Sequence, residues 1–244
     1  MKLREKICVV IPCFKVEKEI LDVINNIDFN LVDKVFVIDD ACPEKSGLVV
    51  KKAKYKKVKV IFLKKNLGVG GATMTGFKIA LKLKYNIIFK LDGDGQHDPN
   101  DIVKFLKYFQ HKKINFCKGT RFYRKKDVAK IPKIRLLGNI ILTSISRATC
   151  SNSEITDVVN GFLCIRDTLL KKLELDKISN DFFFEEDLLF NISLFEKSIK
   201  EVQIKTIYNN KSSLSPIKTI LPFLFKHFKN YIFKLTYKHE KNRR

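Results

Sequence analysis

Residues 86–99 read NIIFKLDGDGQHDP, a short apolar run that breaks after Leu91 into an acidic, glycine-flanked turn. A continuous run of this length is the signature of a strand buried on both faces. Three further strand-like runs lie upstream. KICVVIP (6–12) leads into a polar loop, KVFVID (34–39) closes on Asp39-Asp40, and KVKVIFL (57–63) precedes the glycine loop Asn66-Leu67-Gly68-Val69-Gly70-Gly71-Ala72. Between these runs, Ile20, Val23, Ile24 and Ile27 fall at helical spacing within 16–27. A further helix is expected over 46–53, and 68–84 repeats the helical pattern with Met74, Phe77, Ile79, Ala80, Leu81 and Leu83. Strands alternating with helices predict an α/β fold, with a mainly parallel central sheet and helices on both faces. Right-handed crossovers then bring the strand C-termini to one edge, where open α/β sheets bind ligands. The loops after Pro12, Asp39, Leu63 and Leu91 are therefore expected to converge.

The second half is less regular. Helices are expected over 102–109, 133–147 and 184–196, and strands over 115–119, 158–165 and 201–208. Beyond Pro216, Ile220, Phe223, Phe225, Phe228, Tyr231, Phe233 and Leu235 interleave with Lys218, Lys226, Lys229 and Lys234. A basic amphipathic helix of this kind suits the headgroup layer of an anionic membrane, and the same face can instead pack on the core. The expected organisation is a domain over 1–215 followed by a basic amphipathic segment over 216–244.

The chain of 244 residues carries 48 Lys plus Arg against 26 Asp plus Glu, a net charge of +22 that favours an anionic partner. Its 45% hydrophobic content supplies a core and excludes disorder as a description of the whole. No apolar run approaches the roughly 18 residues of a membrane span, and the first residues lack the pattern of a signal peptide. The six cysteines form no Cys-x-x-Cys pair and read as small core residues of a reducing compartment. A nucleic-acid-binding role would suit the charge, but no nucleic-acid motif is present and the best-ordered loops are acidic, so no nucleic-acid partner is expected.

Asp92 and Asp94, one residue apart at a strand end, offer hard oxygens suited to Mg²⁺ or Mn²⁺ holding a diphosphate; a plain Asp-Gly turn is the alternative. Asp39 can accept from a base or ribose, or cap the next helix. The glycine loop matches neither the dinucleotide fingerprint nor the P-loop, and close packing explains it better than phosphate binding. Glu185, Glu186 and Asp187 follow the aromatic run Phe182-Phe183-Phe184. They can act as a base or simply complement a helix N-terminus. Arg121 and Arg135 are candidate anion binders among many basic residues.

Taken in order, Val10-Ile11-Pro12-Cys13-Phe14, Val37-Ile38-Asp39-Asp40, Asn66-Leu67-Gly68 and Asp92-Gly93-Asp94-Gly95-Gln96-His97 resemble family 2 glycosyltransferases of the GT-A fold. The likeness is to the polyprenyl-phosphate, dolichol-phosphate mannosyltransferase-like branch. It continues through Gly119-Thr120-Arg121-Phe122, Asn160-Gly161-Phe162, Phe184-Glu185-Glu186-Asp187 and Lys211-Ser212-Ser213-Leu214, up to about residue 215. The resemblance implies a metal-dependent, inverting transfer from a nucleotide-sugar donor to a polyprenyl phosphate. The alternative acceptor is a sugar hydroxyl of a cell-surface glycan. It also implies that Pro12, Asp39, Asp40, Asn66, Gly68, Asp92 and Gly93 line the donor site, with Asp92, Asp94 and Gln96 holding Mg²⁺ or Mn²⁺. Arg121, Arg135 and Lys211 would grip the acceptor phosphate, and Glu185 or Asp187 would serve as base toward a hydroxyl. Some relatives carry several C-terminal transmembrane helices that are not found here. The expected location is therefore cytoplasmic, peripheral at the inner face of the membrane.

Overall fold

A computed structural model of the chain describes residues 4–111, 113–122, 128, 131, 133–150, 154–196, 199–205 and 216–241. Seven strands form one sheet: β1 (Ile7–Cys13), β2 (Lys34–Asp39), β3 (Val58–Phe62), β4 (Ile87–Lys90), β5 (Phe116–Thr120), β6 (Leu163–Arg166) and β7 (Lys200–Gln203). Their order across the sheet is β3-β2-β1-β4-β6-β5-β7. The β1–β2, β2–β3, β1–β4 and β5–β7 pairs are parallel, whereas β6 runs antiparallel to both β4 and β5. Because β6 reverses between them, β4 and β5 point the same way and end on the same edge.

Residue alternation along each strand divides the core in two. Cys8, Val10, Phe36, Ile38, Ile88, Leu163 and Ile165 face a layer built from α3 (Gly68–Lys82), α5 (Lys133–Cys150) and α6 (Phe184–Ser193). On the opposite face Val9, Ile11, Val35, Val37, Phe89 and Cys164 pack on α1 (Ile20–Asn25), α2 (Ser46–Lys52) and α4 (Ile102–Phe109). All six cysteines are buried and free.

The last helix, α7 (Pro216–Lys241), lies against α5. Phe223 is buried in the core, and Phe183 meets both Phe223 (ring centroids 5.1 Å apart) and His227 (4.9 Å) edge-on. Lys226 pairs with Asp181 at 2.6 Å, and the buried Lys234 ammonium donates to the carbonyl of Thr149, in the last turn of α5. A cation there satisfies a carbonyl left without a helical partner. One face of α7 is thus part of the core. Its other face is apolar and solvent-exposed, with Phe225 72% and Phe228 62% accessible. Neighbouring α5 is similar, with Ile134 at 58% and Leu137 at 59%. Among the described residues no helix is long and apolar enough to cross a membrane.

Candidate active site

The loops after β1, β2, β3 and β4 meet at one edge. In the β1 loop, Lys15 N–H donates to Cys42 Sγ (3.1 Å) of the β2 loop and Val16 N–H to Ser46 Oγ (3.0 Å) at the start of α2. Asp40 then ties that loop to the next: its Oδ1 accepts from Leu67 N–H at 2.7 Å, and its carbonyl from the Asn66 side chain at 3.2 Å. Pro12 sits in β1 one residue before its end. Asp39 ties the β2 loop to the start of α2. Its Oδ1 accepts from Cys42 N–H (2.9 Å) and its Oδ2 from Gly47 N–H (2.7 Å), in the first turn of α2. A carboxylate there offsets the positive helix end.

The glycine loop does not present its amides as an open phosphate cradle. Gly70 and Gly71 N–H both donate to the carbonyl of Asn180 (2.8 and 3.2 Å). A Cβ on Gly70 would lie 2.3 Å from Ser179 O and 2.6 Å from the Cβ of Phe184. Gly68 adopts φ +78, a conformation that L side chains resist. These glycines therefore let the 179–184 segment press on the start of α3, which sets where α6 begins.

At the end of β4 lies the acidic centre. Lys90 is fully buried, and its ammonium bonds Asp92 Oδ1 at 2.6 Å, reaches Glu185 Oε1 at 3.4 Å and sits 5.0 Å from the centroid of the Phe184 ring. Burial alone would lower the Lys90 pKa; the two carboxylates outweigh it and raise it. For Asp92 burial acts upward, but Lys90 overcomes it and holds the carboxyl below its usual range. Glu185 is pushed up to about 7 by burial, with Lys90 and Lys118 pulling against it. His97 Nδ1 lies 3.5 Å from Asp92 Oδ2 and has no hydrogen-bond partner among the described residues, while its ring packs on Phe162 (5.5 Å). Burial drives His97 down to about 4, so it is neutral. The Asn160-Gly161-Phe162 turn closes over this group. A Cβ on Gly161 would fall 2.3 Å from Lys90 Nζ and 2.4 Å from Asp92 Oδ2, so only glycine permits the approach.

Asp94 differs from Asp92. Its Oδ1 accepts from Gln96 N–H at 3.0 Å, and no described side chain forms an ion pair with it. Burial, and then the charge of Asp92, raise its carboxyl to about 6. Such a carboxylate gains from a cation, and with Asp92 and Gln96 it supplies hard oxygens suited to Mg²⁺ or Mn²⁺. The described residues contain no cluster of three or more His, Cys, Asp or Glu side chains able to enclose a metal. An ion held by these three residues would therefore need further ligands from outside the protein.

Asp187 lies apart from this group. Its Oδ2 accepts from Ser179 N–H (2.8 Å) and its Oδ1 from Asn230 of α7 (3.1 Å), so it fastens the 179–181 turn and α7 to α6. Arg121, just past β5, forms a side-on fork with Asp157, with Nε and Nη2 each at 2.7 Å. Arg135 lies in the first turn of α5, and its side chain is outside the described residues, as is Lys211 altogether. Lys90, Lys118, Asn139 and Asp157 were not singled out from the sequence, and His97 appeared only as the last residue of the acidic motif. The only available sign was a charged or polar residue placed inside, or beside, an apolar run.

A crystal structure of glucosyl-3-phosphoglycerate synthase from Mycobacterium tuberculosis in complex with uridine diphosphate shares this fold. The TM-score is 0.69 at 16% identity, covering 93% of this chain and 80% of that one. The architecture is the GT-A fold of glycosyltransferases. The chain belongs to glycosyl transferase family 2, whose model matches residues 8–174, and it is a glycosyltransferase. Among its relatives is the UDP-N-acetylglucosamine–dolichyl-phosphate N-acetylglucosaminyltransferase of Methanococcus voltae. The two are 28% identical over 231 residues, covering 89% of this chain and 92% of the relative. The undecaprenyl-phosphate mannosyltransferase of Micrococcus luteus is 27% identical over 173 residues, 70% of each chain.

Proposed function

We propose that the protein transfers a sugar, with inversion, from a nucleotide-sugar donor to a polyprenyl phosphate, using Mg²⁺ or Mn²⁺. The observation that carries this reading is the shared sheet edge. The acidic turn after β4 and Arg121 after β5 end on the same side, because β6 runs antiparallel to both strands. An anion-attracting group beside a cation-attracting one matches a reaction between two phosphorylated substrates. The named activities of the Methanococcus voltae and Micrococcus luteus relatives support the lipid-phosphate acceptor. Support for the metal comes from the synthase of the same fold, which is crystallised with Mg²⁺ or Mn²⁺ and uridine diphosphate.

In this reading the β1, β2 and β3 loops hold the nucleoside, with Asp39 and Asp40 fixing the loop backbone and Asn66 and Gly68 completing the wall. Asp94, Asp92 and Gln96 would hold the ion, whose charge would offset that of the departing nucleoside diphosphate. Lys90 keeps Asp92 and Glu185 at fixed separation. Arg121, with Arg135 and Lys211, orients the acceptor phosphate toward the anomeric carbon. A phosphate oxygen is already anionic at neutral pH and needs no base. The exposed apolar faces of α5 and α7 would rest on the inner, anionic face of the cytoplasmic membrane, where such lipids reside.

One observation favours a second reading. Glu185, raised to about 7 and buried beside Asp92, has the environment of a general base, which a sugar-hydroxyl acceptor of a cell-surface glycan would require. A transfer assay separates the two. The purified protein is given a panel of nucleotide sugars and Mn²⁺, with either a short polyprenyl phosphate or an oligosaccharide. Release of nucleoside diphosphate only with the lipid phosphate supports the first reading. Release only with the oligosaccharide replaces it.

A further inference from the structure

Asp157 is completely buried, in the segment between α5 and β6, yet its carboxylate is fully engaged. Its Oδ2 accepts from Arg121 Nε (2.7 Å) and from the Arg121 backbone N–H (3.1 Å). Its Oδ1 accepts from Arg121 Nη2 (2.7 Å) and from the Asn139 side chain (2.8 Å). Asn139 belongs to α5, one helical turn after Arg135, and its own Oδ1 accepts from Thr143 (2.8 Å). The backbone that carries Asp157 is fixed in turn by β7. Glu201 accepts from Thr156 N–H (2.7 Å) and Asp157 N–H (3.2 Å), and Thr156 Oγ1 lies 2.7 Å from Thr120 Oγ1 at the end of β5. Burial by itself would raise the Asp157 carboxyl, but the Arg121 guanidinium outweighs it and keeps the group ionised.

A carboxylate buried this deeply costs stability unless every lone pair is matched. Here matching it also ties together three elements: the Arg121 loop, helix α5 and strand β7. The side-on fork uses Nε and Nη2, two of the five guanidinium N–H donors, and so fixes the plane in which the others lie. Since Arg121 would otherwise sample many rotamers, the fork removes the entropy that an anion would have to overcome on binding.

We propose that Asp157 is the positioning residue of the acceptor-anion site. It locks the Arg121 guanidinium and, through Asn139, sets that group against the first turns of α5. The assignment rests on the reading that the acceptor is a phosphate. Asp157 touches no substrate in this account and acts only through Arg121.

The test measures Asp157→Asn, Arg121→Ala and the double variant with a short polyprenyl phosphate and whichever nucleotide sugar the wild type uses. Nucleoside diphosphate affinity is read separately by calorimetry. Asp157→Asn is expected to raise the acceptor KM roughly 10- to 100-fold, with nucleoside diphosphate affinity unchanged. The double variant should be no worse than Arg121→Ala alone, because both changes remove one function. Should Asp157→Asn fail to fold, Asn139→Ala, which keeps the fork but frees it from α5, is expected to raise the acceptor KM in the same direction by a smaller factor. Additive losses in the double variant, or equal losses at donor and acceptor, would overturn the assignment and leave a structural ion pair. An unchanged acceptor KM in Asp157→Asn, or in Asn139→Ala where that variant stands in, would overturn it too. A wild type inert toward polyprenyl phosphate would instead remove the acceptor reading on which it rests.

Discussion

Replacing Lys90 with Met removes a buried ammonium while keeping most of its volume, and the consequence can be worked from two distances. At an effective dielectric of about 20, a charge pair 2.6 Å apart attracts with about 6 kcal/mol and one 3.4 Å apart with about 5 kcal/mol. Much of that gross attraction is offset by the desolvation of a fully buried ammonium. Breaking a buried pair by deleting one partner costs about 3–5 kcal/mol. Glu185, already near 7, can escape by taking up a proton, so the loss concentrates on Asp92. A divalent cation held by Asp92 and Asp94 would replace the missing charge. Urea unfolding of Lys90→Met without metal should therefore show a loss of about 3–5 kcal/mol. Saturating Mn²⁺ should restore more stability to the variant than it adds to the wild type, for which 100 Kd of ligand contributes about 2.7 kcal/mol. If the variant unfolds within about 1 kcal/mol of the wild type, or Mn²⁺ stabilises both equally, Lys90 does not compensate the acidic centre and the reasoning fails.

Other predictions follow from the same geometry. Because the folded-state pKa of Glu185 is raised to about 7, its contribution to stability is complete at pH below the ordinary carboxylate value and is lost as pH rises through about 7. Glu185→Gln should therefore gain relative to the wild type between pH 5 and 8 in thermal melts; a gain on the acid side would contradict this. Gly70→Ala should cost several kcal/mol and disturb the start of α6, since its Cβ would fall 2.3 Å from the Ser179 carbonyl; unfolding within about 0.5 kcal/mol of the wild type would show that the segment yields. Phe225→Ser with Phe228→Ser should abolish co-sedimentation with anionic vesicles without lowering the melting temperature, as both side chains point outward. Undiminished binding would remove α7 from the membrane account.

How much the sequence disclosed followed physical lines. The strands β1, β2 and β4 were legible because each is a buried apolar run that ends in polar residues, and 34–39 matches β2 residue for residue; β3, at the sheet edge, is half-exposed and alternates with lysine instead. The convergence of their loops followed from crossover handedness alone. The antiparallel direction of β6 was not legible, since four buried residues look the same in either sense. Nor were the partners of Lys90 and Arg121. Glu185 lies 95 residues from Lys90, and Asp157 lies 36 from Arg121, so only the folded chain brings the charges together. Asp39 illustrates a further limit. A carboxylate at a strand end reads equally as a ligand or a helix cap, and only the folded chain shows its oxygens accepting from the backbone N–H groups of Cys42 and Gly47. The apolar and aromatic residues around Phe225 were visible as an amphipathic pattern, but which of them face the core depended on where α5 lies.

The central claim is that the turn after β4 holds a divalent cation together with a nucleoside diphosphate. Electron paramagnetic resonance of Mn²⁺, titrated with protein in the presence of uridine or guanosine diphosphate, measures it directly. The account predicts that the free Mn²⁺ signal falls on adding wild-type protein and diphosphate, and that Asp94→Ala abolishes the effect while Asp187→Asn preserves it. A signal that falls equally with Asp94→Ala would mean that the cation is held elsewhere.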